Sequence, residues 1–332
     1  MKSNYKNAFN RLVGALQPLC EKYNKSKAYF LRNAAWAYLK YGVTPNEYIG
    51  FQFYRFSTLE RKRFFTARDQ NRYEKRLNDY SFSDHFNDKY LTNITFKEFI
   101  KRDWIYLKKA TSDEIKNFLD KHTKFIIKPI GLSSGRGIFS VANNQSLTIE
   151  QFKDILQSKM GVCDISNLNV LIEEFITQHD VMSSINPSSV NTIRIYSVYN
   201  NITDKLTFLS AVLRAGNSGS DVDNFHAGGV AYPINIEYGF VCGAGNDIDG
   251  NRHYFHPSTK VKMIGFQIPD WSKLKIFIED VARVIPQGRF IGWDVAITQD
   301  GFELIEANYM ADPGVMQSPA TEGYRNIILQ HL

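Results

Sequence analysis

The sequence predicts an α+β protein: a largely antiparallel sheet preceded by a small helical N-terminal region. Three observations lead there. Residues 1 to about 85 carry repeated helix-start signals, residues 190–213 alternate as paired strands, and residues 292–308 form an apolar hairpin studded with acids. Strands in runs, with helices segregated between them, mark α+β folds rather than alternating α/β ones.

At 332 residues the chain can build a sizeable core and two or three lobes. Hydrophobic residues at 43% and charged residues at 22% exclude a disordered chain. No apolar run approaches a membrane span, and Asn10, Arg11, Gln17 and Pro18 interrupt the stretch from Phe9 to Cys20 that a signal peptide would need. Cys20, Cys163 and Cys242 are odd in number and far apart, giving neither a disulfide framework nor metal-ligand spacing. A reducing cytoplasm is the expected location. The formal charge of +6 and pI near 9.0 favour anionic partners without selecting nucleic acid, nucleotide, acidic sugar or membrane surface.

Taken in order, Thr44-Pro45-Asn46-Glu47 supplies an N-cap, a proline at the first helical position and a glutamate to complete a capping box. Ser57-Thr58-Leu59-Glu60 repeats the signal and opens a helix expected to carry the basic segment 61–76, with Phe64, Phe65 and Tyr73 among its cations. Such a segment reads either as a surface for an anionic polymer or as a solvated helix face with its aromatics turned inward. A helix beginning near Thr95, with Glu98 completing its box, and another near Thr111 lead into the apolar strand 124–130. A Gly-rich loop, a strand ending near Val141, a helix over 148–159 and a strand over 169–175 follow. Residues 190–199 and 205–213 read as a hairpin around Asn200, Asn201 and Asp204, and a helix over 271–285 precedes the last hairpin. The expected segments are a helical region 1–86, a small lobe 87–172 with the glycine loop, and a large lobe 173–332.

The last hairpin carries Asp294, Glu306 and Asn308, oxygen ligands suited to a hard cation. Side chains alternate along strands, so a two-residue loop of Asp300 and Gly301 would put Asp294 and Glu306 on opposite faces. A three-residue loop, Gln299-Asp300-Gly301, instead sets Asp294 directly across from Glu306 with Asn308 on the same face. An exposed hairpin with scattered acids is the plain alternative; the apolar neighbours Leu304, Ile305 and Ala307 argue against it, because a carboxylate among them wants a partner.

Gly131-Leu132-Ser133-Ser134-Gly135-Arg136-Gly137 sits between two strands and offers backbone amides, hydroxyls and a guanidinium to an anion. It lacks the Gly-Lys-Ser/Thr of a Walker loop and is followed by a strand. Lys128, inside an apolar strand three residues before it, asks for an anionic partner. Glu173 and Glu174 end an apolar strand leading to Phe175-Ile176, a place where main-chain groups could meet an adenine edge, or simply a strand end with exposed acids. Alternation puts Thr192, Arg194 and Tyr196 on one face and Ile193 and Ile195 on the other. Arg214, Asn224, Gly228 and Gly229 add polar groups near a bend, and the arginines suit phosphate, carboxylate or surface salt bridges. His253 and His256 have no third ligand near them for zinc. No Gly-x-Ser-x-Gly elbow is present, and nothing sets a histidine beside a cysteine.

Asn87-Asp88-Lys89, Phe125-Ile126-Ile127-Lys128-Pro129 with its glycine loop, Glu173 to Ile176, Asn191-Thr192-Ile193-Arg194 and the Asp294, Glu306, Asn308 set occur in an order that resembles the ATP-grasp superfamily. The likeness is closest to its sugar-transfer-associated branch and runs from about Asp88 to Tyr324. It implies two α+β lobes gripping ATP between them. Lys89 and Lys128 would contact the phosphates, with Ser133, Ser134, Gly135, Arg136 and Gly137 closing over them. Glu173, Glu174, Phe175 and Ile176 would hold adenine, and Asp180 the ribose. Asp294, Glu306 and Asn308 would hold one or two magnesium ions. Arg194 and Arg214 would face the phosphoryl group in flight and the acceptor carboxylate, with Asn191, Asn224, Gly228 and Gly229 on the substrate side.

The implied reaction is ATP-dependent joining of a carboxylate to an amine through an acyl phosphate, without a protein nucleophile. The branch name points to cell-surface polysaccharide, with an acidic sugar or similar carboxylate as one partner and an amino acid or amine as the other. Phosphoryl transfer to a sugar hydroxyl and a non-catalytic nucleotide-binding partner of a polysaccharide-synthesis complex are the alternatives. No nucleic acid is expected and no membrane span, though segment 61–76 could attach peripherally. Two departures stand out: residues 1–85 are helical and too short for the α/β domain that many members carry ahead of the grasp, and Gln178 and His179 compete with Asp180 for the ribose.

Overall fold

The computed structural model describes residues 2–132, 136–143, 146–161, 168–217, 228–309, 311–318 and 322–332. Five helices open the chain: α1 (Lys2–Tyr23), α2 (Lys27–Tyr41), α3 (Pro45–Gly50), α4 (Thr58–Arg61) and α5 (Ala67–Leu77). Thr44 and Glu47 form the expected capping box with Pro45 at the first helical position. The segment 61–76 is not one helix. Ser57 and Glu60 cap only the four-residue α4, and a second box, Thr66 with Asp69, starts α5. Packing causes the break: Phe64 belongs to the core of the helical region, whereas the adjacent Phe65 is buried against the sheet with Leu77 and Phe290. One straight helix cannot deliver neighbouring residues to two cores.

The expected start near Thr95 also moves. Asp88 caps the helix Lys89–Thr95 by accepting from the Tyr90 and Leu91 amides, so Thr95 ends a helix and Lys97–Phe99 is a single 3-10 turn. Asp88 wins because its carboxylate reaches two otherwise orphaned amides.

Two antiparallel sheets follow. The strands are β1 (Trp104–Tyr106), β2 (Lys124–Pro129), β3 (Phe139–Ala142), β4 (Val170–Glu174), β5 (Thr192–Asn200), β6 (Lys205–Ala215), β7 (Val230–Ile234), β8 (Gly245–Asn246), β9 (Arg252–His253), β10 (Phe290–Thr298) and β11 (Gly301–Tyr309). The four-stranded sheet has the order β1-β4-β2-β3 and the seven-stranded sheet β11-β10-β5-β6-β7-β8-β9. Strands β1, β7, β8 and β9 escape sequence reading because they are short or lack alternation.

Each sheet buries one face under helices. In the small sheet Phe125, Ile127, Val170 and Ile172 pack with Phe118 and Phe152 from the helices Ser112–Lys121 and Ile149–Met160. In the large sheet Ile193, Ile195, Leu213, Trp293 and Val295 pack with Leu274 and Ile278 of the helix Trp271–Val284. Each such side chain contributes about 1.5–3 kcal/mol on burial. The opposite face of the large sheet is covered at one end by α5 and the C-terminal segment through Tyr196, Val198, Met316 and Ile328. Its other end carries the polar residues described below. No helix among the described residues is long and apolar enough to cross a membrane.

Glu47 ties α3 to α5. One oxygen accepts from the Thr44 amide at 2.8 Å and the other from the Ala67 amide at 2.8 Å. Burial nevertheless pushes its carboxyl up to about 7, because the donors offset desolvation only in part. A folded-state value above the unfolded one favours folding at low pH and loses that contribution as pH rises through about 7. Glu47→Gln should therefore remove a fall in stability of about 3 kcal/mol between pH 4.5 and 8, read as the difference between wild-type and variant urea unfolding.

Candidate nucleotide and phosphate site

Alternation on four neighbouring strands of the large sheet brings the chemistry to one face. On β10 Ile291, Trp293, Val295 and Ile297 face the helix-covered core, so Asp294 faces away. On β5 Ile193 and Ile195 face that core and Arg194 faces away; on β6 Leu213 and Ala215 do so, leaving Arg214. Register then aligns them, with Asp294 paired to Arg194 across β10–β5, and Arg194 to Val212, two residues from Arg214.

Asp294 does lie opposite Glu306, but the expected three-residue loop is not the reason. Thr298 pairs with Gly301, so only Gln299 and Asp300 form the turn. A β-bulge between Asp294 and Val295 shifts the pairing from Val295–Leu304 to Asp294–Glu306, leaving Ile305 as the extra residue. The bulge changes which face the rest of β11 presents. Phe302 and Leu304 before it, and Ala307 and Tyr309 after it, all enter the core. Glu303, Glu306 and Asn308 therefore share the outer face with Asp294.

Asp294 is buried and doubly paired. Arg194 Nε donates to its Oδ1 at 2.6 Å, Arg194 Nη2 bonds its Oδ2, and Arg214 Nη1 donates to Oδ2 at 2.7 Å. Burial works against the charge, but the two guanidinium groups outweigh it and hold the carboxyl below its usual range. Glu306 differs: it is half-buried and accepts no hydrogen bond among the described residues. Asn308 donates to the Gly292 carbonyl at 3.2 Å, which leaves its Oδ1 without a hydrogen bond among the described residues.

The small sheet supplies further charged groups. Lys128 lies on the β2 face away from the helices and donates to Glu173 Oε2 at 2.5 Å. Burial lowers the pKa of its ammonium, while Glu173 opposes that shift and Arg102 adds to it. Glu306 lies near enough to Lys128 of one lobe and to Arg194 of the other to favour the charged form of each.

Arg102, just before β1, fastens the lobes together. Its Nε donates to Glu173 Oε2 at 2.7 Å, and its Nη1 donates to Glu303 Oε1 at 2.9 Å and the Leu304 carbonyl at 2.8 Å. Asn93 Nδ2 adds a bond to Glu173 Oε1 at 3.2 Å. Burial would raise the Glu173 carboxyl, but Arg102 and Lys128 prevail and hold it far below the ordinary carboxylate range. Arg102, Asn93 and Glu303 were not among the sequence candidates. Glu303 carried a readable signal, an acid alternating with apolar residues as Glu306 does; Arg102, in the polar run Lys101-Arg102-Asp103, carried none.

The remaining candidates fall into three groups. Lys89 Nζ donates to the Leu132 carbonyl at 2.7 Å and so reaches the glycine loop, whose Gly131 and Gly137 adopt φ of +84° and +72°. Arg136 belongs to the same loop; Ser133, Ser134 and Gly135 lie outside the described residues, as does Asn224. In the linker, Glu173 sits mid-sheet with both neighbours paired and the Phe175 amide still donates to the Lys124 carbonyl at 3.2 Å, so main-chain groups become available only beyond that amide, at about Ile176. Glu174 turns the other way, accepting from the Asp103 amide at 3.0 Å. Asp180 stands exposed at the start of a four-residue helix. Asn191 is fully buried, donating to Gln178 Oε1 at 2.9 Å and to the Met182 and Asn186 carbonyls, while Gln178 itself braces the same turn. Gly228, with φ of +92°, and Gly229 lead into β7. His253 pairs with Asp247 and His256 with the Gly216 carbonyl, so the two histidines do not converge.

A sequence model described as sugar-transfer associated ATP-grasp matches residues 68–331. The chain belongs to this ATP-grasp family. No curated protein matches it at a significant level. Among solved structures, this ATP-grasp chain is similar to the ATP-grasp ligase PsnB complexed with a phosphomimetic variant of a minimal precursor, Mg and ADP, at 12% identity and a TM-score of 0.45, over 79% of this chain and 66% of that one. It is also similar to N5-carboxyaminoimidazole synthetase from Staphylococcus aureus complexed with ADP, at 10% identity and 0.43, over 70% and 47%. A third is D-alanine-D-alanine ligase from Helicobacter pylori, at 15% identity and 0.44, over 77% and 64%. The chain spans less than two thirds of each of these solved chains.

The donor set fits a hard divalent cation. Glu306 and the Asn308 Oδ1 are oxygen donors without competing partners among the described residues, on the same outer face of β11. Asp294 Oδ1, which accepts one hydrogen bond among the described residues, keeps a lone pair to join them, whereas both guanidinium groups converge on Oδ2.

Proposed function

We propose that the chain is an ATP- and magnesium-dependent ligase that joins a carboxylate to an amine. The observation that carries this reading is the row Glu306, Asp294, Arg194 and Arg214 across four adjacent strands, faced by Lys128 from the other lobe. Triphosphate between the lobes would meet Lys128 and Lys89 on one side and the arginines on the other. Glu306 and Asn308, joined by Asp294, would hold the cation, which supplies charge neutralisation along the phosphates when bound.

The substrate carboxylate attacks the γ-phosphorus, the bond to the β-phosphate oxygen breaks, and ADP leaves. The amine nitrogen then attacks the acyl carbon, phosphate departs and the nitrogen loses its proton. The protein contributes position and charge to these steps. Arg194, bonded through two nitrogens to Asp294, and Arg214, bonded through one, present further donors to oxygens that gain charge. Glu173 and Arg102 position Lys128. Phe175 and Ile176 are the places for adenine, and Asp180 for the ribose. The sugar transfer in the family's description is the ground for placing the reaction in cell-surface polysaccharide synthesis, with an acidic sugar or similar carboxylate as one substrate and an amino acid or amine as the other.

The test is ADP release with magnesium across a matrix of uronic-acid sugars and amino acids. Release that requires both an acid and an amine is the expected result. A stable phosphorylated sugar without an amine would show a kinase instead, and tight ATP binding with no stimulation by any pair would remove the ligase reading.

A further inference from the structure

Helix α2 is apolar on both sides. Phe30, Ala34 and Ala37 are buried in the core of the helical region, as a single inward stripe requires. Its outward side nevertheless carries Trp36 at 40% exposure and Leu39 at 73%, with Tyr29 and Tyr38 toward its two edges at 45% and 51%. Leu59, 74% exposed, lies on the neighbouring α4, whose Arg61 stacks on Trp36. Nothing among the described residues covers this face.

Two arginines brace the helix that carries this face. Arg68 from α5 caps the carboxyl end of α2, with Nη2 on the Tyr38 carbonyl at 2.7 Å and Nη1 on the Leu39 carbonyl at 3.1 Å. Arg61 is buried between the Trp36 and Phe53 rings. Arg61 and Arg68 are thus engaged by the fold, while Lys62, Arg63, Arg72, Lys75 and Arg76 of the same segment stay exposed.

Charge says what the face meets. Residues 1–85 hold sixteen Lys and Arg against seven Asp and Glu. From Lys22 to Leu59 the only acid is Glu47, which is buried, whereas Lys22, Lys25, Lys27, Arg32, Lys40 and Arg55 are all exposed. Lys40 lies 4.6 Å from the Trp36 ring centroid and Lys25 5.6 Å from that of Tyr29, so the cations rim the aromatics. A second copy of the same face would bring like charges together. A soluble polyanion would leave Leu39 and Leu59 in water. Tryptophan and tyrosine at headgroup depth, leucine below and lysine above match an anionic lipid surface.

We propose that the outer face of α2, with Leu59, docks the protein on an anionic phospholipid surface. The proposal stands apart from the ligase reading, because it uses no residue of the nucleotide site. The test is co-sedimentation of the full chain with phosphatidylcholine vesicles, with or without phosphatidylglycerol, alongside the emission of Trp36. Binding at least tenfold greater to the anionic vesicles is expected, with a blue shift that Trp36→Phe removes. Raising salt from about 0.1 M to about 1 M, which shortens the Debye length from about 10 Å to about 3 Å, should release the protein. Leu39→Ser and the pair Lys25→Glu with Lys27→Glu should each cut binding at least tenfold; all these side chains are exposed, and an unchanged melting temperature confirms the fold. Equal binding to neutral vesicles, no binding to either, or full binding by Leu39→Ser would overturn the proposal. So would self-association that Leu39→Ser abolishes, or a soluble polyanion that competes equally well against both variants.

Discussion

Glu306→Gln should reduce magnesium-dependent ADP release by about 10²–10³-fold while leaving the urea unfolding midpoint unchanged. The substitution keeps size and removes one negative charge. Function should suffer because Glu306 is an oxygen ligand without a competing partner among the described residues, on the face that also carries Asp294 and Asn308 and near enough to Lys128 and Arg194 to act on both. Stability should not, because the side chain is half-buried and accepts no hydrogen bond among the described residues. Near-normal turnover would move the cation away from β11. A large fall in the midpoint would make Glu306 a structural group.

Arg102→Met should have the opposite signature, a loss of about 3–5 kcal/mol in folding stability measured by urea unfolding. Arg102 is 5% exposed and bonds two carboxylates, Glu173 and Glu303, that are themselves 2% and 5% exposed. Removing it leaves Glu173 with Lys128 and Asn93 alone, and Glu303 with the backbone amides of residues 101 and 102. The pH dependence separates this explanation from lost packing. In the wild type the Glu173 carboxyl is held low, so its contribution is present above its unfolded value near 4.5 and lost as pH falls toward the folded one. In the variant that advantage shrinks, so the deficit should hold steady from pH 7 to 5 and narrow as pH falls below about 4.5. A deficit independent of pH would point to packing, and one below about 1 kcal/mol would remove Arg102 as the tie between lobes.

Much of the candidate site was legible because its logic is local. Alternation alone separated Arg194 from Ile193 and Ile195, and the apolar neighbours of Glu306 marked it as a carboxylate in need of a partner. The pairing of Asp294 with Glu306 was reached by a wrong route. A loop of three residues and a loop of two with a bulge at Ile305 give the same partners, and only the burial of both Leu304 and Ala307 selects the second. The single helix expected over 61–76 failed for a similar reason, since Phe64 and Phe65 look alike in sequence and go to different cores.

The sequence by itself determined the α+β class, the capping boxes at Thr44 and Ser57, the helix starts near Thr111 and Thr148, and the opposite faces taken by Arg194 and by Ile193 and Ile195. Each of these depends on groups two to four residues apart, whose spacing is set by backbone geometry. Only the tertiary structure decided the bulge, the enclosure of Asp294 by Arg194 and Arg214, and the chain of charges from Lys128 through Glu173 and Arg102 to Glu303. Those partners lie far apart along the chain, and ion pairing has no period to read. Which carboxylate a buried arginine finds is settled when the sheets pack and water leaves.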